Sequence, residues 1–170
     1  DTMFVNGVCG LDGYCMTTPN HKKFRPGFTD IAIVNFPDLG GDSSAIRGDI
    51  VTVKAVVVAD TSQCYSTNTN FMNDQSGPPN NGVQLFLPAP FVPYPATGDT
   101  IIATGQVLEY FGQTEVAAAN YGNVQILAVG PNPIPSTVTA AQLLANGEGF
   151  ESVLVTLCDS FVVTNIAFDA

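Results

Sequence analysis

Two long runs of β-branched and apolar residues constrain the fold more than any other feature of the sequence. The first is Ile50–Val58 and the second is Thr100–Tyr110, and each follows a Gly-Asp pair. Such runs are typical of long β-strands, because branched side chains pack well on a pleated surface. Gly105 interrupts the second run, and a glycine inside a strand usually marks a bulge or the bend of a barrel. The sequence therefore predicts a curved sheet.

The rest of the chain predicts shorter strands and a single helix. Strands are expected at residues 71–72, 83–87, 114–118 and 123–129, with a last long or bent strand at residues 150–164. A helix is expected from Thr139 to Ala145, because Thr139 can cap its beginning and an Asn-Gly pair can end it. Clusters of Gly, Pro and Asn separate these segments, as in turns and loops.

This order of elements predicts an all-β fold. A parallel α/β fold would need several crossover helices, and the sequence indicates only one helix. Five or six strands, with the long ones broken by glycine, favour a small closed barrel over residues 46–170, and a β-sandwich is the alternative. Residues 1–45 are expected to form an irregular arm, in which only Ile31–Val34 has the composition of a strand.

A series of sequence blocks follows the same order as the anchors of a known family. The most specific block is GDTIIATGQVLEYFGQTE at residues 98–115, which is close to the pattern G-D-x-V-x-V-x-G-x-V-x-E-Y-x-G-x-T-Q. The other blocks are GDIVTV at 48–53, FMNDQSG at 71–77, GVQLF at 82–86, PIP at 133–135 and ESVLV at 151–155. Together they resemble the OB-fold domains attached to secreted bacterial nucleases and related extracellular multidomain proteins. The resemblance implies an OB-fold-like Greek-key barrel of five to six strands, closed by the strand at 151–155, and a role in binding nucleic acid.

The distribution of charge disfavours nucleic acid as a partner. The net charge is -10, and all five Lys and Arg residues occur before residue 55. Residues 55–170 carry acids but no Lys or Arg. Proteins bind a phosphate backbone by placing Lys and Arg against it. Residues 55–170, which make up most of the predicted barrel, cannot supply those contacts.

A short basic cluster in the arm is the candidate partner-binding site. It consists of His21, Lys22, Lys23, Phe24 and Arg25. An aromatic ring between cations resembles a stacking arrangement, although a solvated loop is the simpler interpretation. The cluster would complement the acidic surface of another domain of the same polypeptide or of a neighbouring copy. No apolar run reaches the ~20 residues of a membrane-spanning helix, so no membrane span is expected.

The four cysteines, Cys9, Cys15, Cys64 and Cys158, indicate an oxidising compartment. Three pairings are open, and we favour one bridge between Cys9 and Cys15 and a second between Cys64 and Cys158. Free thiols and a metal site are the alternatives, but the close pair has the spacing C-x₅-C rather than the tighter spacing of zinc sites. The expected location is extracellular or at the cell surface.

Catalytic residues are not expected. His21 is the only histidine, and no Gly-x-Ser-x-Gly motif is present. Two pairs of glutamates, 109 with 115 and 148 with 151, flank turns and are interpreted as solvated loop acids rather than as a glycosidase pair. No cofactor is expected apart from calcium, for which Asp38 and Asp42 are the candidate ligands, with solvated turn acids as the alternative.

Tyrosines near the predicted turns are the candidate ligand-binding residues. OB-folds bind ligands on the face of their second and third strands and in the neighbouring loops. Tyr94, Tyr110 and Tyr121 could stack there on sugars or bases without using charge, whereas packing at the end of the barrel is the alternative. Phe111 is expected to pack in that way.

These features favour a non-catalytic extracellular OB-fold module that acts as a binding or structural part of a larger secreted or surface assembly. One alternative is a nucleic-acid-binding accessory domain of a secreted nuclease. Another is a subunit of an extracellular filament or sheath, held together by the arm and by exposed strand edges.

Overall fold

The computed structural model describes residues 24–38, 41–63, 68–74, 76–87, 93–118 and 123–160. In chain order the elements are β1 (Phe24–Phe28), α1 (Ile31–Val34), β2 (Ile50–Ala59), β3 (Thr69–Asn73), β4 (Gly82–Phe86), β5 (Thr100–Tyr110), β6 (Gln113–Ala117), β7 (Val124–Ala128), β8 (Ser136–Val138), α2 (Ala140–Ala145), a single turn of 3-10 helix (Glu148–Phe150) and β9 (Val155–Leu157). The strands predicted between residues 50 and 129 correspond to β2 through β7.

Five of these strands close into a barrel. β2 pairs with β3, β3 with β4, β6 with β5 and β5 with β2, all antiparallel. The closing pair, β4 with β6, is parallel and runs from Gln84 opposite Glu115 to Phe86 opposite Ala117. A five-stranded Greek-key barrel of this kind is an OB-fold-like barrel. The predicted fold class is confirmed, and β1 and β7 extend the barrel sheet beside β2 and β5.

Alternation along the strands explains where the core lies. Every second residue of β2 from Val51 to Val57 is buried, and Ile101, Ala103 and Val107 of β5 are buried in the same way. Because successive side chains of a strand point to opposite faces, this alternation turns one face of each strand to the barrel interior. Fully buried residues of the other barrel strands, including Met72, Leu85 and Val116, complete the core.

Gly105 lies where the barrel leaves no room for a side chain. A Cβ at this position would lie 2.4 Å from the carbonyl oxygen of Ala117 on β6. On this side β5 pairs with β7 up to Ala103 and with β6 from Gln106 onward. Gly105 therefore sits where β5 exchanges one neighbour for another, which agrees with the predicted bend of a barrel.

The described part of the predicted arm contains regular structure. β1 pairs in parallel with β2, and α1 carries Ile31 and Val34, both fully buried. The predicted strand at Ile31–Val34 is wrong, because residues three apart share one face of a helix but lie on opposite faces of a strand. The helix begins beside the barrel, where the backbone N–H of Ile31 donates to Asp74 Oδ2 at 3.0 Å.

The C-terminal part differs from the predicted long strand. The helix predicted from Thr139 is confirmed as α2, with the Thr139 side chain accepting from the backbone N–H of Gln142 in a capping box. Within the described residues of 150–164, however, only Val155–Leu157 is a strand, and it pairs with β8. Glu151 and Ser152 form a turn in which Ser152 has φ +57°. The barrel is therefore closed by β6 and not by residues 151–155.

Neither helix in the described part of the chain is long and apolar enough to cross a membrane.

We expect Gly105→Ala to lower the free energy of unfolding by about 2 kcal/mol, because the added methyl group collides with the backbone of β6. The control is Gly147→Ala, where the Cβ would lie 3.5 Å from the nearest atom, the carbonyl oxygen of Leu143. The control should change stability by no more than about 0.5 kcal/mol. Urea unfolding followed by circular dichroism measures both, and equal stability of the two variants would show that β5 and β6 do not approach this closely.

Candidate ligand-binding groove

An open groove of about 990 Å³ lies on the outer face of the barrel, over β3, β4 and the turn between β5 and β6. Its lining combines apolar rings with polar amides and one acid, and we call it the aromatic groove. The aromatic residues are Phe71, Phe86, Tyr110 and Phe111, the amides are Gln63, Asn68, Gln84 and Gln113, and the acid is Glu115. Apolar surfaces with a few converging polar groups are typical of ligand sites.

Strand alternation and register build the floor of the aromatic groove. Met72, Leu85 and Val116 point into the core, so their neighbours along each strand point outward. Phe71 lies opposite Gln84 on the adjacent strand, and Gln84 lies opposite Glu115 on the next. These last three residues form a row across β3, β4 and β6.

Glu115, the one acid among the described lining residues of the aromatic groove, is deeply buried. Only 5% of it is exposed, and Gln84 Nε2 donates to its Oε2 at 3.1 Å. Burial raises the pKa of Glu115, and the nearby charge of Glu109 raises it further. The prediction that Glu115 is a solvated loop acid is wrong, because β6 begins at Gln113 and places Glu115 within the sheet.

Tyr110 and Phe111 form an exposed aromatic pair at the rim of the aromatic groove. Their rings are edge to face with centroids 4.6 Å apart, and Phe111 is 93% exposed. Phe111 has φ +52° and Gly112 has φ +79°, the signs that a type I′ turn requires. Asn, Asp or Gly is preferred in such turns, and a side chain other than these is disfavoured by about 1 kcal/mol. The prediction that the Phe111 ring packs at the end of the barrel is wrong, because this side chain is almost fully exposed.

The loop after β2 is fixed near the aromatic groove by Asp60. Its carboxylate accepts from the backbone and hydroxyl of Thr97 at 2.8 and 2.9 Å and from those of Ser62. Burial opposes ionisation, but these hydrogen bonds outweigh it and lower the pKa of Asp60 to about 2. The backbone N–H of Asp60 donates to Gln63 Oε1, which positions that amide.

A second group of acids surrounds Thr114, next to Glu115 on β6. The Thr114 backbone N–H donates to Glu151 Oε1, and its hydroxyl donates to Glu109 Oε1, both at 2.7 Å. Glu109 Oε1 also accepts from the backbone N–H of Ser44. Burial raises the pKa of Glu151 to about 7, with Glu148 and Glu109 contributing, although the Thr114 N–H opposes the shift. Glu109 and Glu151 are thus partly buried and accept hydrogen bonds from Thr114, so the prediction that they are solvated loop acids is wrong.

The candidate tyrosines have different positions. Tyr110 lines the aromatic groove, and its role in ligand binding stays a prediction. Tyr94 is half-buried and packs against the core, which corresponds to the alternative of packing at the barrel end. Tyr121 lies outside the described residues. The sequence analysis did not predict that Gln84 and Glu115 lie side by side in the aromatic groove, because their positions follow only from the register of β4 with β6.

The candidate basic cluster is described only at its end. Arg25 Nε lies 3.0 Å from Asp49 Oδ2, so this cation already has an acidic partner on the same chain. Phe24 is the first residue of β1. His21, Lys22 and Lys23 lie outside the described residues, and their role in partner binding stays a prediction.

The candidate calcium ligands lie in an exposed turn. Asp38 and Asp42 are both exposed, and the Asp38 backbone N–H donates to the Ser43 carbonyl at 2.8 Å. The described residues hold no group of three or more His, Cys, Asp or Glu side chains that could bind a metal ion. Calcium binding therefore stays a prediction.

Cys158 is exposed and forms no disulfide with a described residue, so its predicted bridge to Cys64 stays a prediction. Cys158 directly follows β9, which pairs with β8 and not with a barrel strand. Cys9, Cys15 and Cys64 lie outside the described residues.

Comparisons with known proteins add little to this geometry. No protein-family model matches the chain. No curated protein matches it in sequence. Among solved structures, the chain is similar to the hypothetical protein YgiW from E. coli, with 16% identity and a TM-score of 0.39, over 61% of this chain and 95% of that one. The OB-fold-like assignment depends on the strand order and pairing described above.

Phe111→Asn is expected to raise the free energy of unfolding by about 0.5–1 kcal/mol, because Asn followed by Gly suits a type I′ turn. Phe111→Ala is the control, since it removes the ring but keeps a residue that disfavours positive φ. Chemical denaturation of the three proteins measures the difference. A loss of stability in the Asn variant would contradict the disfavoured backbone described for Phe111.

Glu151→Gln should change how stability depends on pH. Because the pKa is raised from its ordinary value of 4.5 to about 7, the folded protein holds a proton between these values that the unfolded chain releases. The stabilising contribution of Glu151 is therefore present below about pH 4.5 and is lost as the pH rises through 7. Glutamine stays neutral and keeps an oxygen for the Thr114 N–H, so the variant should gain stability over the native protein from pH 5 to pH 8. The exposed Asp42→Asn is the control, and a difference that stays constant with pH would refute the raised pKa.

Proposed function

We propose that this chain is a non-catalytic ligand-binding module of a secreted or cell-surface protein, and that its ligand lies in the aromatic groove. The observation that carries the proposal is the row of Phe71, Gln84 and Glu115 beside the exposed rings of Tyr110 and Phe111. Adjacent exposed rings form a contiguous apolar surface, and such surfaces often mark sites of interaction with a ligand or partner. The positive φ at Phe111 adds a second cost, which Asn or Gly at the same position of the turn would avoid.

The lining of the aromatic groove supports binding rather than catalysis. Glu115 is the one carboxylate among its described lining residues. Acid-base cleavage of a glycosidic bond uses two carboxylates that face one bond from opposite sides. The partly buried acids around Thr114 have their hydrogen bonds directed to the backbone and hydroxyl of β6 and to Ser44, which suits a structural role.

The resemblance of residues 48–164 to OB-fold domains of secreted nucleases supports the extracellular and modular part of the proposal. The acidic composition argues against the nucleic-acid alternative, since residues 55–170 contain no Lys or Arg. The filament alternative draws support from exposed apolar residues on or beside the outer strands β1 and β7, namely Phe28, Leu127 and Val129.

The test is a binding screen of the native protein and of the double variant Tyr110→Ala/Phe111→Ala against immobilised uncharged polysaccharides, single-stranded DNA and peptides. We expect at least one probe to bind, and its affinity to fall more than ten-fold in the double variant, because stacking on both rings is lost. Leu144→Ala removes an equally exposed apolar side chain on α2 and serves as the control. Binding that the double variant leaves unchanged for every probe would exclude the aromatic groove as the site, and large particles in light scattering would favour the filament.

A further inference from the structure

We infer that the ligand of the aromatic groove is an uncharged, hydroxyl-rich carbohydrate chain, with Glu115 accepting hydrogen bonds from its hydroxyl groups. This inference rests on the proposed function and adds the chemical class of the ligand. It follows from the charge of the groove, from the pairing of its strands and from the way its amides are held.

Charge excludes a phosphate-rich ligand. No Lys, Arg or His lines the aromatic groove among the described residues, and the only ionisable acid there is Glu115. Proteins that bind single-stranded nucleic acid combine stacking rings with a positive groove that follows the backbone. The aromatic groove has the rings without the positive charge. A polyanion would meet the Glu115 carboxylate and the -10 net charge of the chain.

Strand pairing disfavours an extended peptide. A peptide that adds to a sheet is held by main-chain hydrogen bonds at an open strand edge. Each strand under the groove already has a partner on both sides: β3 pairs with β2 and β4, β4 with β3 and β6, and β6 with β4 and β5. A ligand in the aromatic groove must therefore be recognised by side chains and not by the backbone of the sheet.

Three of the four amides of the groove are each held by the protein through one atom. Gln84 donates through Nε2 to Glu115, Gln113 donates through Nε2 to Ser152 Oγ at 3.1 Å, and Gln63 accepts through Oε1. Each of these three amides therefore has a fixed orientation and a second polar atom that forms no hydrogen bond with a described residue. Hydroxyl groups both donate and accept, so they match a mixed set of amide donors, amide acceptors and a carboxylate.

Glu115 supplies the strongest polar contact of this set. It is more than nine-tenths buried, it is aimed into the groove, and only its Oε2 is bound by Gln84. A carboxylate accepts hydrogen bonds more strongly than a neutral oxygen does. Around it, the electron-rich faces of Phe71, Tyr110 and Phe111 suit the polarised C–H groups of a sugar ring. Rings and a buried acceptor together fit a glycan better than a cation, which would need several acids.

The experiment is an array of uncharged oligosaccharides, with fragments of α- and β-glucans, xylan, mannan and chitin, followed by calorimetry on the best ligand. We expect binding that changes less than two-fold between 50 and 500 mM salt, since no charge is neutralised. Glu115→Gln should weaken binding about ten-fold, because one amide atom becomes a donor where the ligand needs an acceptor. Asp42→Asn, an exposed acid outside the groove, should leave affinity unchanged.

Three further outcomes separate the ligand class from the site. If Glu115→Gln fails to fold, the exposed pair Tyr110→Ala/Phe111→Ala provides the same test, and glycan affinity unchanged in that variant would overturn the inference. Groove-dependent binding of single-stranded DNA or of a basic peptide, with no glycan bound, would overturn the carbohydrate class and leave the site standing. No groove-dependent binding by any probe class would overturn both.

Discussion

The parallel pairing of β4 with β6 is the interaction on which both the barrel and its outer face depend. It joins two strands that are far apart in the chain and turns an open sheet into a closed one. The same register sets Gln84 beside Glu115, and the antiparallel register of β3 with β4 adds Phe71 to the row. The same backbone hydrogen bonds between β4 and β6 therefore close the barrel and position the residues of the groove. A slip by one residue would turn the polar row into the core and expose Leu85 and Val116.

Local patterns were sufficient for much of the fold. The long runs of branched residues predict β2 and β5, and Thr139 with the Asn-Gly pair after Ala145 predicts α2, because these signals are encoded within a few neighbouring positions. The prediction of a strand at Ile31–Val34 is wrong because four apolar residues carry no clear period. In the structure this segment is a helix that buries Ile31 and Val34 on one face. The segment after Phe150 contains β-branched residues, yet the turn at Ser152 directs it to β8.

The site was less accessible from sequence than the fold. Tyr110 could be proposed because aromatic residues beside turns are visible in one dimension. Glu115 looked like a loop acid because its burial comes from β4, which lies about thirty residues earlier in the chain. Glu109 and Glu151 likewise come from segments far apart in the chain, and both bind Thr114. Parallel pairing and long-range hydrogen bonds of this kind leave no local periodicity from which they could be recognised.

Neighbouring positions on β6 connect the two acidic regions. Thr114 is attached to Glu109 and Glu151, whereas the next residue, Glu115, faces the aromatic groove. The charge of Glu109 raises the pKa of both Glu115 and Glu151, so the two acids share one electrostatic neighbour. Removal of the Glu109 charge would therefore lower the pKa of both acids together, so one side chain links the electrostatics of the aromatic groove to that of the acids around Thr114.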